Sequence, residues 1–481
     1  MFDLGKYELN ICATGENCIR SDVVGIEDYY LFDLFKSGSG TEDDPYLIQT
    51  YTVDVGTIKE KTYTALSQLN YINYLYDKHF KLMEDITIYN SFASLGTLDE
   101  LSFFKIDKGY EFEGSIDGNG YVIIFDNGTK DDQQFGGSGS FGLLRSIGKN
   151  GKVKNLGLAD FFVGGSYNNI GILSPINRGF IDNVRVINMT GGITSAFNGG
   201  NLESYVGGIV GRNYSTGTIK NSTSKIVVNA TNTSTYVYAG GIVGLNEGRV
   251  ENCQNVAIYL NSESKINKQI NGTITGGIAG VSRGDFATII SCVNMANIDA
   301  VSNIGNYGSS MARAGGIVGK FEYTATTSAN GEIVAPYVIS SYNSGQVTVL
   351  ENGDATQNST PKAGGIVGYS TGGTIHSCYN VGLVYMYSKQ HETATTNVGA
   401  ILGWNENSEK SSVYNSFYIA LEGMPLSCVI PLQTADMTKV KQEELKANIT
   451  NENAVINKLN KTYNSYVYVE NKYPQLSWQV V

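Results

Sequence analysis

Histidine is almost absent from this chain. There are three in 481 residues: His79, His376 and His391. That scarcity removes whole classes of chemistry. A zinc-peptidase helix needs His-Glu-x-x-His, which sets two imidazoles on one helix face, and His391-Glu-Thr-Ala-Thr has no second histidine. A Ser-His-Asp hydrolase needs a histidine placed beside its nucleophile, and no Gly-x-Ser-x-Gly turn accompanies any of the three.

Charge is also scarce, at 16% of residues, and its balance is acidic, with a net charge of −11. Nucleic acid is recognised through clustered Lys and Arg on phosphates, so it is excluded as a partner, and an anionic membrane surface is disfavoured for the same reason. No apolar run approaches the 18 or so residues of a membrane-spanning helix, so membrane insertion is not expected. The first ten residues lack the basic start and apolar core of a secretory signal. Cysteines number six and prolines seven. Cys12 and Cys18 lie close together and the other four are dispersed, which is not a compact disulfide framework. A bridge between Cys12 and Cys18 is left open.

What the chain has in quantity is glycine, 57 residues, and tyrosine, 32. The glycines are ordered. Gly207-Gly-Ile-Val-Gly recurs as Gly240-Gly-Ile-Val-Gly, Gly276-Gly-Ile-Ala-Gly, Gly315-Gly-Ile-Val-Gly and Gly364-Gly-Ile-Val-Gly. Gly399-Ala-Ile-Leu-Gly is a weaker copy, and Phe141-Gly-Leu-Leu and Ile170-Gly-Ile-Leu are earlier relatives. The second glycines fall at 142, 171, 208, 241, 277, 316, 365 and 400, with gaps of 29 to 49 residues. Each copy leads into a second β-type run, such as Thr218-Ile-Lys-Asn-Ser, Arg249-Val-Glu-Asn-Cys-Gln-Asn or Thr374-Ile-His-Ser-Cys-Tyr-Asn. Length variation is expected after this second run, in polar loops such as Ser262 to Asn271 and Glu351 to Pro361.

Such a period identifies a repeat architecture, in which one unit cannot bury its own apolar face but stacked units can. Short β runs with glycine and asparagine turns, and no helical period between them, predict an all-β, right-handed parallel β-helix (solenoid) with small helical N- and C-terminal caps. Coils about 4.8 Å apart align equivalent residues into ladders. Ile209, Ile242, Ile278, Ile317, Ile366 and Ile401 form an inward ladder. Cys253, Cys292 and Cys378 share one position with Ser222, Ser341 and Ser416, which reads as a buried small-residue ladder and not a metal site. Asn255, Asn294, Asn343 and Asn380 read as a structural amide ladder. If the Ser/Cys position points inward, the following Tyr342, Tyr379 and Phe417 point outward. They make an aromatic stripe, the candidate binding platform for a sugar or protein. The alternative is that they are covered by a long loop.

At this point the repeats resemble GLUG-motif repeats of bacterial surface proteins, known from adhesins and from the non-catalytic part of IgA-specific metallopeptidases. Gly38-Ser-Gly-Thr-Glu-Asp-Asp-Pro-Tyr-Leu-Ile is similar to the usual opening of such domains. Leu66, Leu69, Ile72 and Leu75 follow with a helical period that Phe80 to Ile86 continues. Gly114-Ser-Ile-Asp-Gly-Asn-Gly-Tyr-Val-Ile resembles the first full rung. Met437 to Ile449 looks like the capping helix, and Lys472-Tyr-Pro-Gln-Leu-Ser-Trp-Gln is similar to the closing strand. The resemblance covers residues 38–481 and implies an N-terminal cap and first rungs at 38–135, repeats at 136–430 and a C-terminal cap at 431–481. Residues 1–37 fall outside it. Their apolar cluster, Tyr29, Tyr30, Leu31, Phe32, Leu34 and Phe35, reads as a cap on the first rung or an anchor. The family implies no single activity, because function is grafted on folds.

The remaining chemistry is carboxylate. β-Solenoids that cleave polysaccharides use paired acids. Here Asp117, Asp182, Glu203, Glu247, Glu251 and Asp285 are scattered, and Asp117-Gly-Asn-Gly reads as a turn. No cofactor is expected, with calcium at Glu42-Asp43-Asp44 as the one alternative. The leading expectation is a non-catalytic, extracellular or cell-surface protein presenting a lateral face to a glycan or protein. A phage tail fibre or other virion protein, and a polysaccharide-degrading enzyme, are the alternatives.

Overall fold

A computed structural model of the chain describes residues 34–53, 61–72, 75–89, 111–126, 138–197, 203–232, 236–264, 270–303, 309–324, 336–352, 361–388, 397–407, 409–421, 434–448 and 454–480. The strands stack in parallel from coil to coil, forming a β-solenoid. One coil shows the path. An approach strand, Tyr236–Gly240, runs into the glycine corner. A motif strand, Val243–Asn246, leaves it. Arg249–Glu251, Gln254–Asn255 and Tyr259–Ser264 then complete the circuit. The motif strands of seven coils, from Ser174–Asn177 to Leu402–Asn405, form one parallel sheet, with Val210, Val243, Ala279, Val318, Val367 and Leu402 in register.

The corner explains the glycines. A Cβ on Gly240 would sit 1.9 Å from the Val243 carbonyl oxygen, and one on Gly364 would sit 1.9 Å from that of Val367. The first glycine is required by space and not by a positive φ. The isoleucine between the glycines points into the coil. Ile209, Ile242, Ile278, Ile317, Ile366 and Ile401 are all buried. Each of the first five donates its N–H to the next one's carbonyl at 2.9–3.1 Å. Burial of one such side chain is worth about 1.5–3 kcal/mol.

The opposite turn has its own ladder. Asn183, Asn221, Asn252, Ser291, Ser340, Ser377 and Asn415 all sit at φ between 46° and 53°. Among non-glycine residues asparagine is the one that tolerates this region best. The next position is the small-residue ladder. Ser222 Oγ donates to Lys220 O (2.7 Å) and Ser341 Oγ to Ile339 O (2.9 Å), while the thiols of Cys253 and Cys292 point to the carbonyls two residues back at 3.2 Å. All three thiols are free and buried, and burial pushes that of Cys378 up to about 12. Two residues on, the amides of Asn255, Asn294, Asn343 and Asn380 are chained Nδ2 to Oδ1 at 3.0, 2.8 and 2.8 Å. A second chain, Asn177 to Asn213 to Asn246 at 2.8 and 2.9 Å, closes the motif strand.

The ends differ from expectation. Strands stack before Gly114-Ser-Ile as well. Tyr46–Ile48 pairs with His79–Leu82, which pairs with Ser115–Asp117, so two strands precede it. The helical period ends at the helix Ala65–Tyr71, and residues 80–86 contribute to the strands His79–Leu82 and Ile86–Tyr89, because their apolar residues alternate. Leu34 and Phe35 are buried at this end, Phe35 stacked on Tyr46 at 4.5 Å. The rest of the N-terminal cluster, with Cys12 and Cys18, lies outside the described residues.

At the other end, Met437 begins no helix. Thr434–Val440 is a strand paired with Ser411–Ile419, and the helical residues of this end are the short helices Gln442–Leu445 and Val455–Leu459 and the 3-10 turn Ser477–Gln479. The expected loops also shift. Ser262 to Asn271 includes the ends of Tyr259–Ser264 and Ile270–Gly276, while Glu351 ends the strand Val347–Glu351 and is buried. The longest coil takes part of its extra length between Val318–Glu322 and Tyr337–Ile339, just after the motif strand.

Candidate functional site

The aromatic stripe is in register but is not exposed. Tyr342, Tyr379 and Phe417 pair across successive coils and point away from the main interior, and the first two rings stack at 4.7 Å. All three are nevertheless buried, at 3%, 0% and 3% exposure. The C-terminal segment covers them, folding back along the side of the solenoid; residues 353–360 of the loop considered above lie outside the described residues. Tyr342 donates its hydroxyl to Gln479 Oε1 (3.2 Å), Tyr379 donates to the Pro474 carbonyl, Tyr466 to Ser377 O (2.9 Å) and Trp478 Nε1 to Ser291 O (2.9 Å). The proposal of a sugar platform on these residues is therefore corrected: they are the seat of the C-terminal segment. The turn ladder carried the missed signal. It changes from Asn to Ser at 291, 340 and 377, where the segment lies.

The scattered acids are held separately. Asp117 meets Lys154 at 3.3 Å, Asp182 accepts from Asn221 (2.7 Å), Glu247 takes Arg212 at 2.9 and 3.0 Å, and Glu251 takes Arg249 at 2.9 Å. Asp285 lies in a turn after its motif strand. Asn119 N–H donates to Asp117 (2.9 Å), the geometry of a turn. His79 shares a hydrogen bond with Ser115, and His376 packs on Tyr414 and Tyr463. His391 lies outside the described residues. In the acidic loop, Glu42 is paired with Lys152 at 2.6 Å and Asp44 accepts from Ser39 N–H at 2.9 Å.

The site that sequence reading missed lies outside the glycine corner. Two residues before the first glycine, Tyr205, Tyr238, Ile274, Arg313 and Lys362 align along the axis. One residue after the last glycine, Arg212, Leu245, Val281, Lys320, Tyr369 and Trp404 align beside them. The corner is so tight that a Cβ on Gly244 would lie 2.6 Å from Val206 N. The two ladders therefore line the outside of the corner, a groove largely filled by their own side chains, with Tyr205, Arg212, Lys320 and Trp404 partly exposed along it. Tyr238, Leu245, Ile274 and Val281 form a small apolar cluster there, distinct from the main interior.

The groove is polar at both ends. At one end Tyr205, Tyr238 and Tyr236 stack, with ring centroids 5.4 and 6.0 Å apart. Glu203 accepts the hydroxyls of Tyr205 and Tyr238, the latter at 2.7 Å. Burial and Glu203 push both phenols well up. At the other end, Glu322 is shared by Arg283 and Lys320, both at 3.1 Å. Burial opposes its ionisation, but the two cations hold it below the usual carboxylate range. Beyond it the Arg313 guanidinium lies 3.5 Å above the Tyr369 ring, and the Lys362 ammonium 3.5 Å above Trp404. Tyr369 donates to Glu406. Burial, with Arg313 beside it, pushes Lys362 down to about 7.

Comparison with known proteins adds the following. The GLUG motif matches residues 203–229, the coil on which the groove begins. Over 189 residues, 39% of the chain, the sequence is 28% identical to halomucin of Haloquadratum walsbyi, and over 217 residues it is 32% identical to a protein of Evansella cellulosilytica described as a Gly-rich membrane protein. The chain spans 2% and 22% of the lengths of these relatives. A solved structure from Bacteroides ovatus, described as a candidate immunoglobulin A1 protease, aligns over 92% of this chain and 96% of its own, with 16% identity and a TM-score of 0.36. The chain thus carries a GLUG motif at residues 203–229 within a β-solenoid, and that motif builds the first coil of the groove.

Proposed function

We propose that the protein is a non-catalytic component of a cell surface, a rigid rod that presents its glycine-corner groove to a glycan or protein partner. The groove carries the reading. Aromatic rings or charged side chains stand in register on five of its six coils, at positions a coil does not need for its own interior. Aromatic and arginine side chains in a sheltered recess are the usual anchors of recognition. The names of the two curated relatives, a halomucin and a membrane protein, support a surface setting. The acids support binding over cleavage, since Asp117, Asp182, Glu203, Glu247 and Glu251 are each engaged by a cation, an amide or a hydroxyl. Among the described residues no helix is long and apolar enough to cross a membrane. The test is to fractionate native cells and to incubate the purified chain with capsular and cell-wall glycans. The protein is expected in the surface fraction, adhering without releasing new reducing ends. New reducing ends, or a native protein confined to cytosol or virions, would overturn the reading.

A further inference from the structure

Arg313 and Lys362 differ from four other cations of the solenoid. Arg178, Arg212, Arg249 and Arg283 each reach a glutamate. Arg313 and Lys362, in register on successive coils, are more deeply buried, at 7% and 3% exposure, and their direct contacts are neutral, with the charge of Glu406 reaching Arg313 from beyond Tyr369. Arg313 donates through Nη2 to the Met311 sulfur at 3.3 Å and rests on Tyr369, and its Nε has no hydrogen-bond partner. Lys362 donates to Asn397 Oδ1 at 2.7 Å and rests on Trp404. Among the described residues no carboxylate is within 4 Å of either cation. The nearby acids are engaged, Glu322 by Arg283 and Lys320, Glu406 by the Tyr369 hydroxyl. Taking a charge out of water without an opposite charge is costly, and a solenoid of this kind gains nothing structural from two adjacent cations where Ile274 serves one coil earlier.

We propose that Arg313 and Lys362 form an anion site, and that its occupant is the carboxylate of an acidic sugar whose ring lies along the groove. This rests on the binding function proposed above and names its ligand class. A guanidinium fork with an adjacent ammonium suits a carboxylate. Glu322 and Glu406 at the margin disfavour a doubly charged phosphate. Tyr236 and Trp404, both partly exposed, offer apolar surface beside the two cations for a sugar ring. The depressed ionisation of Lys362 is consistent with a site whose counter-charge arrives with the ligand.

Calorimetric titration of the full chain with trigalacturonate, its methyl ester and inorganic sulfate tests this. Trigalacturonate is expected to bind, with the neutral ester and sulfate each at least about tenfold weaker, and Arg313→Met and Lys362→Met each weakening trigalacturonate about tenfold or more. Equal binding of the ester, tighter binding of sulfate, or unchanged binding in both variants would overturn the proposal. Should either variant misfold, the wild-type melting temperature decides: trigalacturonate is expected to raise it and the ester not, and equal shifts refute the site. Adhesion to cells or proteins without any uronate binding would end this inference while leaving the proposed function intact.

Discussion

Gly240 and Lys362 sit at one corner of the coil and illustrate opposite demands on a residue. Gly240 has no room for a methyl group, whose nearest neighbour would be a backbone oxygen that cannot swing away. Gly240→Ala is expected to destabilise by about 1–3 kcal/mol, the usual cost of overpacking, read from urea midpoints. Ile278→Ala, which empties a fully buried position, is expected to cost about 2–5 kcal/mol. Lys362 is the reverse case, a charge held where the fold would prefer none. Its pKa is pushed from 10.5 to about 7. Between those values the unfolded chain binds the proton that the folded chain has released. Stability therefore rises with pH across about 7 to 10.5 on account of this group, and the penalty is constant below 7. In ligand-free buffer, Lys362→Met is expected to be more stable than the wild type at pH 6.5, with the gap narrowing by pH 9. An equal gap at both pH values would show that Lys362 is not the titrating group.

At the scale of elements, what was legible in the sequence follows from how local each cause is. The inward isoleucines repeat inside one pentapeptide, and the Ser/Cys position and the Asn255–Asn380 amides repeat two residues apart inside the second run, so stacking aligns them. The groove was equally periodic, but its residues vary from Tyr through Ile to Arg and Lys. Only the concave corner, a property of two strands together, makes them neighbours. The C-terminal segment was illegible for another reason. Trp478 meets Ser291 across 187 residues, and no short-range pattern encodes that contact. Met437 to Val440 reads as the start of a helix with the charged residues that follow it, yet pairing with Ser411–Ile419 makes it a strand. Because the segment seals Tyr342, Tyr379 and Phe417, a chain ending at residue 453 is expected to bind a hydrophobic dye such as ANS and to melt at lower temperature. Unchanged dye binding would mean that the three rings are covered by something else. Asn252→Ala, at φ 52°, is expected to cost about 1–2 kcal/mol, whereas Asn252→Gly should cost less, as the left-handed conformation requires.

For the whole molecule, the solenoid turns a short motif into a long surface. Each coil adds one residue to every ladder, so a groove that discriminates along its length arises from substitutions at two positions per coil. This chain places an acidic, tyrosine-rich stretch at Glu203 to Tyr238 and a cationic, aromatic stretch at Arg313 to Trp404. A net charge of −11 surrounds that cationic stretch, which would repel polyanions in general and leave selection to the local fit. The measurement that bears most directly on this picture follows one acidic polysaccharide through binding and cleavage together. The full chain, the Arg313→Met/Lys362→Met double variant and a blank are incubated with polygalacturonate, and bound polymer and reducing ends are both quantified. The expected result is saturable binding by the wild type, its loss in the double variant, and reducing ends no higher than in the blank. Binding that survives in the double variant, or reducing ends that accumulate with the wild type, would contradict it.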